Sequence, residues 1–232
     1  MNEKFGWTAA LTAYVFALSG LYLFAFWRPF GMSAFEFYSL QDYVSSTLNR
    51  GVFLALYPLG IGFIIWAFFV AIGWGKSAPS IGVHWFIGTA VTFSAEAWKI
   101  VHLRQSTAFS FLNEWSVFAL VTVLAVGSLL GFIVACKRGD PLVFRIIPIA
   151  ALQGATFLAA GYADGKTIYM GADNVHFLED KTLCDKTSPR DWVHVASLSG
   201  RSIFMNAIDN RLCFTDAKNY VLISRVRREG LR

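Results

Sequence analysis

Residues 7–27 read WTAALTAYVFALSGLYLFAFW, an uncharged run with a tryptophan at each end. A helix needs roughly 20 mostly apolar residues to span a hydrocarbon core of about 30 Å, and this run meets that length. Tryptophan is enriched at both membrane interfaces, so the two end positions suit a membrane-spanning segment. Bulky residues stand where signal peptidase requires small ones, which predicts an uncleaved anchor.

Three further apolar stretches, at 52–74, 115–136 and 142–163, reach a similar length. The composition of the whole chain agrees with them, because 56% of its residues are hydrophobic and only 15% are charged, against about 25% charged in soluble proteins. The mean hydropathy is +0.51. We therefore predict an all-α polytopic membrane domain with four clear transmembrane helices.

A fifth segment, 83–103, is long enough to cross but is amphipathic. Its polar residues fall within about 140° of one another on a helix, and they are His84, Thr89, Thr92, Glu96, Lys99 and His102. The segment could cross with this polar stripe facing the bundle interior, or it could lie along the interface. Five crossings place the two termini on opposite sides and four place them on the same side. The distribution of Lys and Arg between loops differs by one residue and does not decide.

The charge density changes near residue 164. Residues 1–163 contain nine of the twenty Lys and Arg, and the last 69 residues contain the other eleven. Short stretches rich in β-branched and aromatic residues follow, separated by turn residues such as Ser199-Gly200 and Asp209-Asn210. They predict strands at 166–170, 174–178, 191–198, 201–208, 210–215 and 220–226. We therefore expect a membrane domain at 1–163 and a small, soluble, β-rich domain at 164–232.

Three cysteines, at 136, 184 and 213, show no metal-ligand spacing and cannot all pair. A disulfide framework is not expected, although a single Cys184–Cys213 bridge is possible in an oxidising compartment. Unpaired cysteines and the basic tail at 225–232 suit the cytoplasm. We therefore predict a multi-pass protein of the bacterial inner membrane with a cytoplasmic C-terminal domain.

The carboxylate of Glu96 would lie about 4.5 Å from the centre of a spanning helix. A charge at that depth costs at least about 2.5–3.5 kcal/mol and often marks a functional site. The functional interpretation makes the polar stripe an ion path or a proton-responsive element. The structural interpretation, which we favour, pairs Glu96 with Lys99 at i, i+3 and lets Lys99 reach the headgroups.

Small residues at helical spacing predict close helix packing. Gly127 and Gly131 form a GxxxG pair, and Ala151, Ala155 and Ala159 form a similar stripe on the next helix. Such residues let helix backbones approach in a membrane. They predict either a contact between subunits of a homo-oligomer or packing within one chain.

No motif in the sequence supports catalysis. The histidines at 84, 102, 176 and 194 lack acidic or cysteine partners at ligand spacing, and there is no phosphate-binding glycine loop. We predict that the chain is not an enzyme and needs no metal or cofactor. Direct nucleic-acid binding is not expected either, because the basic residues are dispersed.

The loop after the first span contains Phe30-Gly31-Met32, then Phe35-Glu36-Phe37-Tyr38 and Leu40-Gln41-Asp42-Tyr43. It resembles an element of small bacterial membrane proteins of unassigned function, in which such a turn and an aromatic, acidic patch precede a short interfacial helix. The overall layout is also similar to the membrane subunit of the Kiwa anti-phage defence system. That resemblance implies a non-enzymatic, oligomeric membrane sensor or scaffold that works with a cytoplasmic DNA-binding partner.

Two functions therefore stand as hypotheses. The first is an oligomeric membrane sensor or scaffold in phage defence, whose C-terminal domain binds a cytoplasmic protein. The second is a small ion channel or pore-forming effector with the 83–103 helix lining the path.

Overall fold

The computed structural model describes residues 3–33, 38–46, 52–71, 81–105, 115–138, 142–169, 176–178, 184, 192–198, 201–206, 211–216 and 222–224. The helices are α1 (Glu3–Trp27), α2 (Leu40–Ser46), α3 (Val52–Ala71), α4 (Ile81–Gln105), α5 (Trp115–Arg138) and α6 (Leu142–Tyr169), with a 3-10 turn at Arg28–Phe30 after α1. At 1.5 Å per residue the five long helices are about 30 to 42 Å in length.

Within the described residues, two helical stretches are long and apolar enough to cross a membrane, Thr8–Phe30 and Ile146–Tyr169. The sequence predicted four such spans. The apolar stretches recorded in α3 and α5 are Leu56–Phe68 and Leu120–Cys136, which cover only the described part of each helix, so two of the four predicted spans are clear by length and composition.

Helix α6 lies at the centre of the bundle and packs against α1, α4 and α5, while α3 packs on α4. Contacts along the helices give their directions. Phe86 of α4 and Phe132 of α5 cluster with Ile149 near the start of α6. Ile100 and Val121 cluster with α6 residues further along, such as Leu158. Helix α4 is therefore parallel to α6, and α5 is antiparallel to it.

Helix α1 is also parallel to α6. Tyr14 donates a hydrogen bond to Gln153, and eight residues later Tyr22 donates one to Asp164 over 2.7 Å. The two helices approach closely because Gly161 and Gly165 have no side chain. A Cβ at Gly161 would collide with the carbonyl of Tyr22, and one at Gly165 with the carbonyl of Phe26.

The C-terminal strands form one antiparallel sheet in the order β4-β3-β2-β1-β5. The strands are β1 (His176–Leu178), β2 (Trp192–Leu198), β3 (Arg201–Asn206), β4 (Leu212–Thr215) and β5 (Leu222–Ser224). Five of the six predicted strands overlap them. The strand predicted at 166–170 is wrong, because α6 continues to Tyr169.

Helix α6 continues through the polar residues near 164, because these residues have interaction partners within the structure. Asp164 accepts the hydrogen bond from Tyr22, and the Lys166 ammonium lies 5.4 Å from the centre of the Tyr169 ring. The boundary predicted between residues 163 and 164 therefore falls within a continuous helix.

One apolar cluster joins the sheet to the bundle. It contains Phe26 and Trp27 of α1, Phe157 of α6, and Val195 and Ile203 of β2 and β3. Trp27 and Ile203 are almost completely buried. The sheet therefore packs directly on the end of the bundle where α1 and α6 finish.

Cys184 and Cys213 form a disulfide, which packs beside Leu178, Trp192 and Phe204. The cytoplasmic prediction assumed unpaired cysteines, which is wrong for these two, and the single bridge that the sequence left open is formed. The bridge closes a loop between residues 29 apart in sequence, for which chain entropy predicts a stabilisation of about 3–4 kcal/mol. It holds the segment after β1 against the edge strand β4.

The contact between α1 and α6 makes a specific prediction. Gly161→Ala places a methyl group against the Tyr22 carbonyl, so α1 must move, and we expect a loss of about 1–3 kcal/mol as in other overpacked sites. Gly60→Ala in α3 is the matched control, because nothing lies within 4 Å of a Cβ there. Thermal unfolding of the detergent-solubilised protein measures both, and equal melting temperatures would contradict the close packing.

Candidate functional site

The polar stripe of α4 faces the interior of the bundle along most of its length. His84, Thr89, Thr92 and Glu96 are at most 8% exposed, whereas Lys99 is exposed. The side chain of His102 lies outside the described residues. Thr89 and Thr92 each donate to a backbone carbonyl four residues earlier, of Trp85 and Gly88, over 2.9 Å. Both hydroxyl groups therefore donate to backbone carbonyls of α4 itself.

Glu96 and Lys99 form an ion pair. The Lys99 ammonium donates to both carboxylate oxygens of Glu96, over 2.8 and 2.9 Å. The Glu96 side chain is 11% exposed and that of Lys99 is 55% exposed. Lys99 therefore neutralises a buried carboxylate while its own end reaches the outer surface of the bundle, which is the geometry of the structural interpretation.

A second set of polar residues lies inside the bundle on α6, and sequence reasoning did not select it. Gln153 is 2% exposed and Thr156 is 1% exposed. Gln153 accepts the hydrogen bond from Tyr14, and Thr156 donates to the Leu152 carbonyl. A glutamine inside an apolar helix is a signal that such a bond exists, but the sequence does not show that its partner is Tyr14.

The small residues of α5 and α6 lie in different environments. Gly127 and Gly131 are exposed on the outside of α5, and no atom lies within 4 Å of a Cβ placed at Gly127. In contrast, Ala155 and Ala159 are completely buried, and Ala151 is partly buried. The α6 stripe therefore packs within the chain. On α5, Gly127 lies on an open surface, while a Cβ placed at Gly131 would lie 3.6 Å from Pro148 of α6.

The loop after α1 folds back onto α1. Gly31 adopts a left-handed conformation with φ of 69°, and its N–H donates to the Arg28 carbonyl. Tyr43 of α2 donates to the Phe16 carbonyl and stacks on the Phe16 ring at 5.5 Å. Phe30 packs against the cluster that joins the bundle to the sheet. Helix α2 therefore lies against the bundle, while Phe35 and Glu36 are outside the described residues.

Asp42 has a structural role at the start of α2. Its carboxylate accepts hydrogen bonds from the Ser39 N–H and hydroxyl, and its own N–H donates to the Ser39 oxygen. This reciprocal arrangement is a capping box. This cap accounts for Asp42, so no ligand is needed to explain its position.

His176 and His194 come close across neighbouring strands, because Phe177 pairs with Val193 in the antiparallel β1–β2 ladder. Burial and the nearby His176 lower the pKa of His194 below the ordinary value of about 6.5. His194 Nε2 lies 3.0 Å from the Ser197 hydroxyl. Within the described part of the chain, no group of three His, Cys, Asp or Glu residues could hold a metal ion.

No protein-family model, curated protein or solved structure matches this chain. The features that the geometry brings together are a buried ion pair on α4, an open glycine face on α5, and a disulfide-bonded sheet at one end of the bundle.

The ion pair can be tested by removing one partner. Lys99→Met leaves the buried Glu96 carboxylate without its ammonium, and we expect a loss of about 1–3 kcal/mol in stability. Adding Glu96→Gln should recover most of this loss, because the buried group is then neutral. Arg201→Met, which breaks an exposed pair with Asp216, is the control and should change stability by at most about 0.5 kcal/mol. Thermal melting that is unchanged in Lys99→Met would show that the pair does not stabilise the fold.

Proposed function

We propose that this chain is a non-enzymatic membrane sensor or scaffold that presents a disulfide-bonded sheet on the end of a helical bundle and assembles into a homo-oligomer. The observation that carries the proposal is the apolar cluster shared by β2, β3, α1 and α6. Because the sheet packs directly on the helix ends, a molecule that binds and shifts the sheet also acts on α1 and α6. Membership of an anti-phage defence system, which the resemblance to Kiwa implies, is part of the proposal.

We further propose that all five long helices cross the membrane. Helices α1, α4 and α6 run in one direction, and α5 runs in the other. Helix α3 is antiparallel to α4, since Gly62 approaches His84 while Gly88 approaches Pro58. Successive long helices thus alternate in direction, as five consecutive crossings require. Helix α4 runs beside α6. This packing supports a membrane crossing by α4 rather than a position of α4 along the membrane interface.

An odd number of crossings places the N-terminus and the sheet on opposite sides, and the disulfide indicates which side each occupies. Disulfides persist in oxidising compartments, so the Cys184–Cys213 bridge supports a position of the sheet outside the cytoplasm. With five crossings, the sequence would assign Lys4, Lys76, Lys137 and Arg138 to the side away from the sheet, against Arg28, Arg50 and Arg104 on the sheet side. The excess of one basic residue has the direction that the positive-inside rule expects, but it is too small to decide the orientation.

This placement replaces the cytoplasmic side expected from unpaired cysteines. A protein partner of the sheet would then approach from the oxidising side. A cytoplasmic partner of the kind that the Kiwa resemblance implies would instead meet the end of the bundle where α4 and α6 begin.

Thiol labelling tests the orientation. Cys136 is exposed near the end of α5, at the end of the bundle opposite the sheet. In a Cys184→Ser/Cys213→Ser variant, a membrane-impermeant maleimide should label Cys136 only after the cells are permeabilised. A C-terminal alkaline phosphatase fusion to the wild-type chain should be active, and a C-terminal green fluorescent protein fusion should be dark. Labelling of Cys136 in intact cells, together with an inactive phosphatase fusion, would show that the protein has the opposite orientation in the membrane.

The open glycine face of α5 supports assembly through that helix. Gly127 and Gly131 are exposed beside Val123, Val126 and Leu130, which are also exposed. Such a face can approach another helix closely. Helix α6 already packs against the other side of α5. We therefore propose that a second copy of the chain packs on the glycine face.

The channel hypothesis keeps one observation in its favour, which is the exposure of Lys99. An ammonium exposed at membrane depth needs water, headgroups or a polar neighbour. Contact with the headgroups satisfies it in a scaffold, and a water-filled path between copies would satisfy it in a channel. Recording currents separates the two.

Assembly and conduction can be measured on the same samples. Gly127→Leu should shift the detergent-solubilised protein toward the monomer in light-scattering measurements, while Gly60→Leu on α3 should leave the oligomer unchanged. The wild-type oligomer should carry no current in planar bilayers. An oligomer unaffected by Gly127→Leu would exclude the α5 contact. A cation current that falls in Glu96→Gln, without a change in melting temperature, would favour the channel instead.

A further inference from the structure

We propose that a cavity between α3 and α4 binds one acyl chain of a membrane glycerophospholipid. The cavity has a volume of about 420 Å³ and is lined by Leu59, Gly62, Phe63, Trp66, His84 and Trp85. The inference goes beyond the scaffold function, and it rests on the proposed embedding of α3 and α4 in the bilayer.

The cavity lies beside the point where the two helices cross. A Cβ on Gly62 would come within 2.8 Å of the His84 carbonyl oxygen, and a Cβ on Gly88 would collide with the Pro58 carbonyl. The backbones therefore approach closely here, and no side chain of these glycines fills the space between the helices. The large side chains of Phe63, Trp66 and Trp85 border the space without closing it.

The walls and the rim of the cavity favour an apolar occupant. Leu59, Phe63 and Trp66 are 42%, 65% and 41% exposed, so the cavity opens on the outer face of α3. A buried water needs two to four polar partners, and the walls are almost entirely carbon. The volume lies within the range of about 300–1,000 Å³ that ligand sites occupy. In a bilayer, the molecules that bathe this face are lipid chains.

The position of the cavity along α4 suits a lipid that keeps its headgroup at the membrane surface. His84 and Trp85 lie three and four residues after Ile81, where α4 begins, or about 4.5 to 6 Å along the helix. Tryptophan rings prefer this interfacial depth. With the proposed orientation, the lipid belongs to the cytoplasmic leaflet.

The indole of Trp85 supplies an independent argument. Its Nε1 is buried and has no hydrogen-bond partner among the described residues. A buried N–H is normally paired. Glycerophospholipids carry ester carbonyls at interfacial depth. Because Trp85 lines the cavity, a turn of its ring toward the opening would let such a carbonyl accept this hydrogen bond while the acyl chain fills the apolar space.

A variant that fills the cavity tests the proposal. Leu59→Trp places a large ring at the lining, and Ile64→Trp places the same ring on an exposed position of α3 that does not line the cavity. Delipidated protein in mild detergent is titrated with palmitoyl-oleoyl-phosphatidylethanolamine, and bound lipids are counted by native mass spectrometry. Wild type and Ile64→Trp should bind one lipid with similar affinity, and Leu59→Trp should bind it at least tenfold more weakly.

A second variant addresses the hydrogen bond and does not depend on the first. Trp85→Phe keeps an aromatic ring and removes the N–H, so it should weaken binding of the diacyl lipid several-fold but not binding of its dialkyl ether analogue. If Leu59→Trp fails to melt cooperatively, the comparison of the two lipids in Trp85→Phe tests the proposal by itself. Equal effects of Trp85→Phe on the binding of the diacyl lipid and of its ether analogue would overturn the proposal.

Other results also contradict it. Equal lipid binding by wild type and Leu59→Trp would exclude this cavity as the site. A loss of oligomer in Leu59→Trp with no change in bound lipid would show that a second copy covers the cavity. Lipid counts and oligomer size are separate readouts, so failure of the lipid site and failure of the scaffold function are distinguishable.

Discussion

The close approach of α1 to α6 determines where the rest of the structure lies. Gly161 and Gly165 allow the backbone of α1 to lie against α6, which aligns the two helices in parallel and brings their final turns to the same end. The sheet packs on that end through Trp27 and its neighbours. In a membrane, where apolar side chains gain little by leaving lipid, such backbone contact and interhelical hydrogen bonds are the main sources of helix association.

Much of the helical fold could be predicted from composition and periodicity, since the uncharged runs before Trp27 and before residue 163 both form helices. The end of α6 could not, because its polar residues gain partners from another helix, as Asp164 does from Tyr22. The close packing at Gly161 and Gly165 could not be predicted for a similar reason. Gly127 and Gly131 match the same GxxxG spacing as Gly161 and Gly165, and only the positions of neighbouring helices distinguish an open face from a packed one.

The candidate site was partly predictable in the same way. Helical periodicity placed Thr89 and Glu96 on one face, and that face is buried. The i, i+3 spacing of Glu96 and Lys99 was enough to anticipate their pairing. Local spacing does not reveal long-range partners, so it missed the bond between Tyr14 and Gln153. It named the Cys184–Cys213 bridge as possible but could not show that it forms, because the bridge depends on Cys184 lying near β4.

The strand order has a consequence for how the chain is made. Because β5 pairs with β1, the first strand of the sheet to be synthesised is covered on one side by the last. Strands β2, β3 and β4 are joined by successive antiparallel pairings, so none of them needs a strand that comes later than β4. Until β5 is synthesised, β1 remains an edge strand with unpaired backbone groups, which is the kind of edge that invites pairing with other chains. The sheet therefore gains its fifth described strand only after translation has passed Ser224, and a chain that stops before β5 would leave the edge of β1 unpaired.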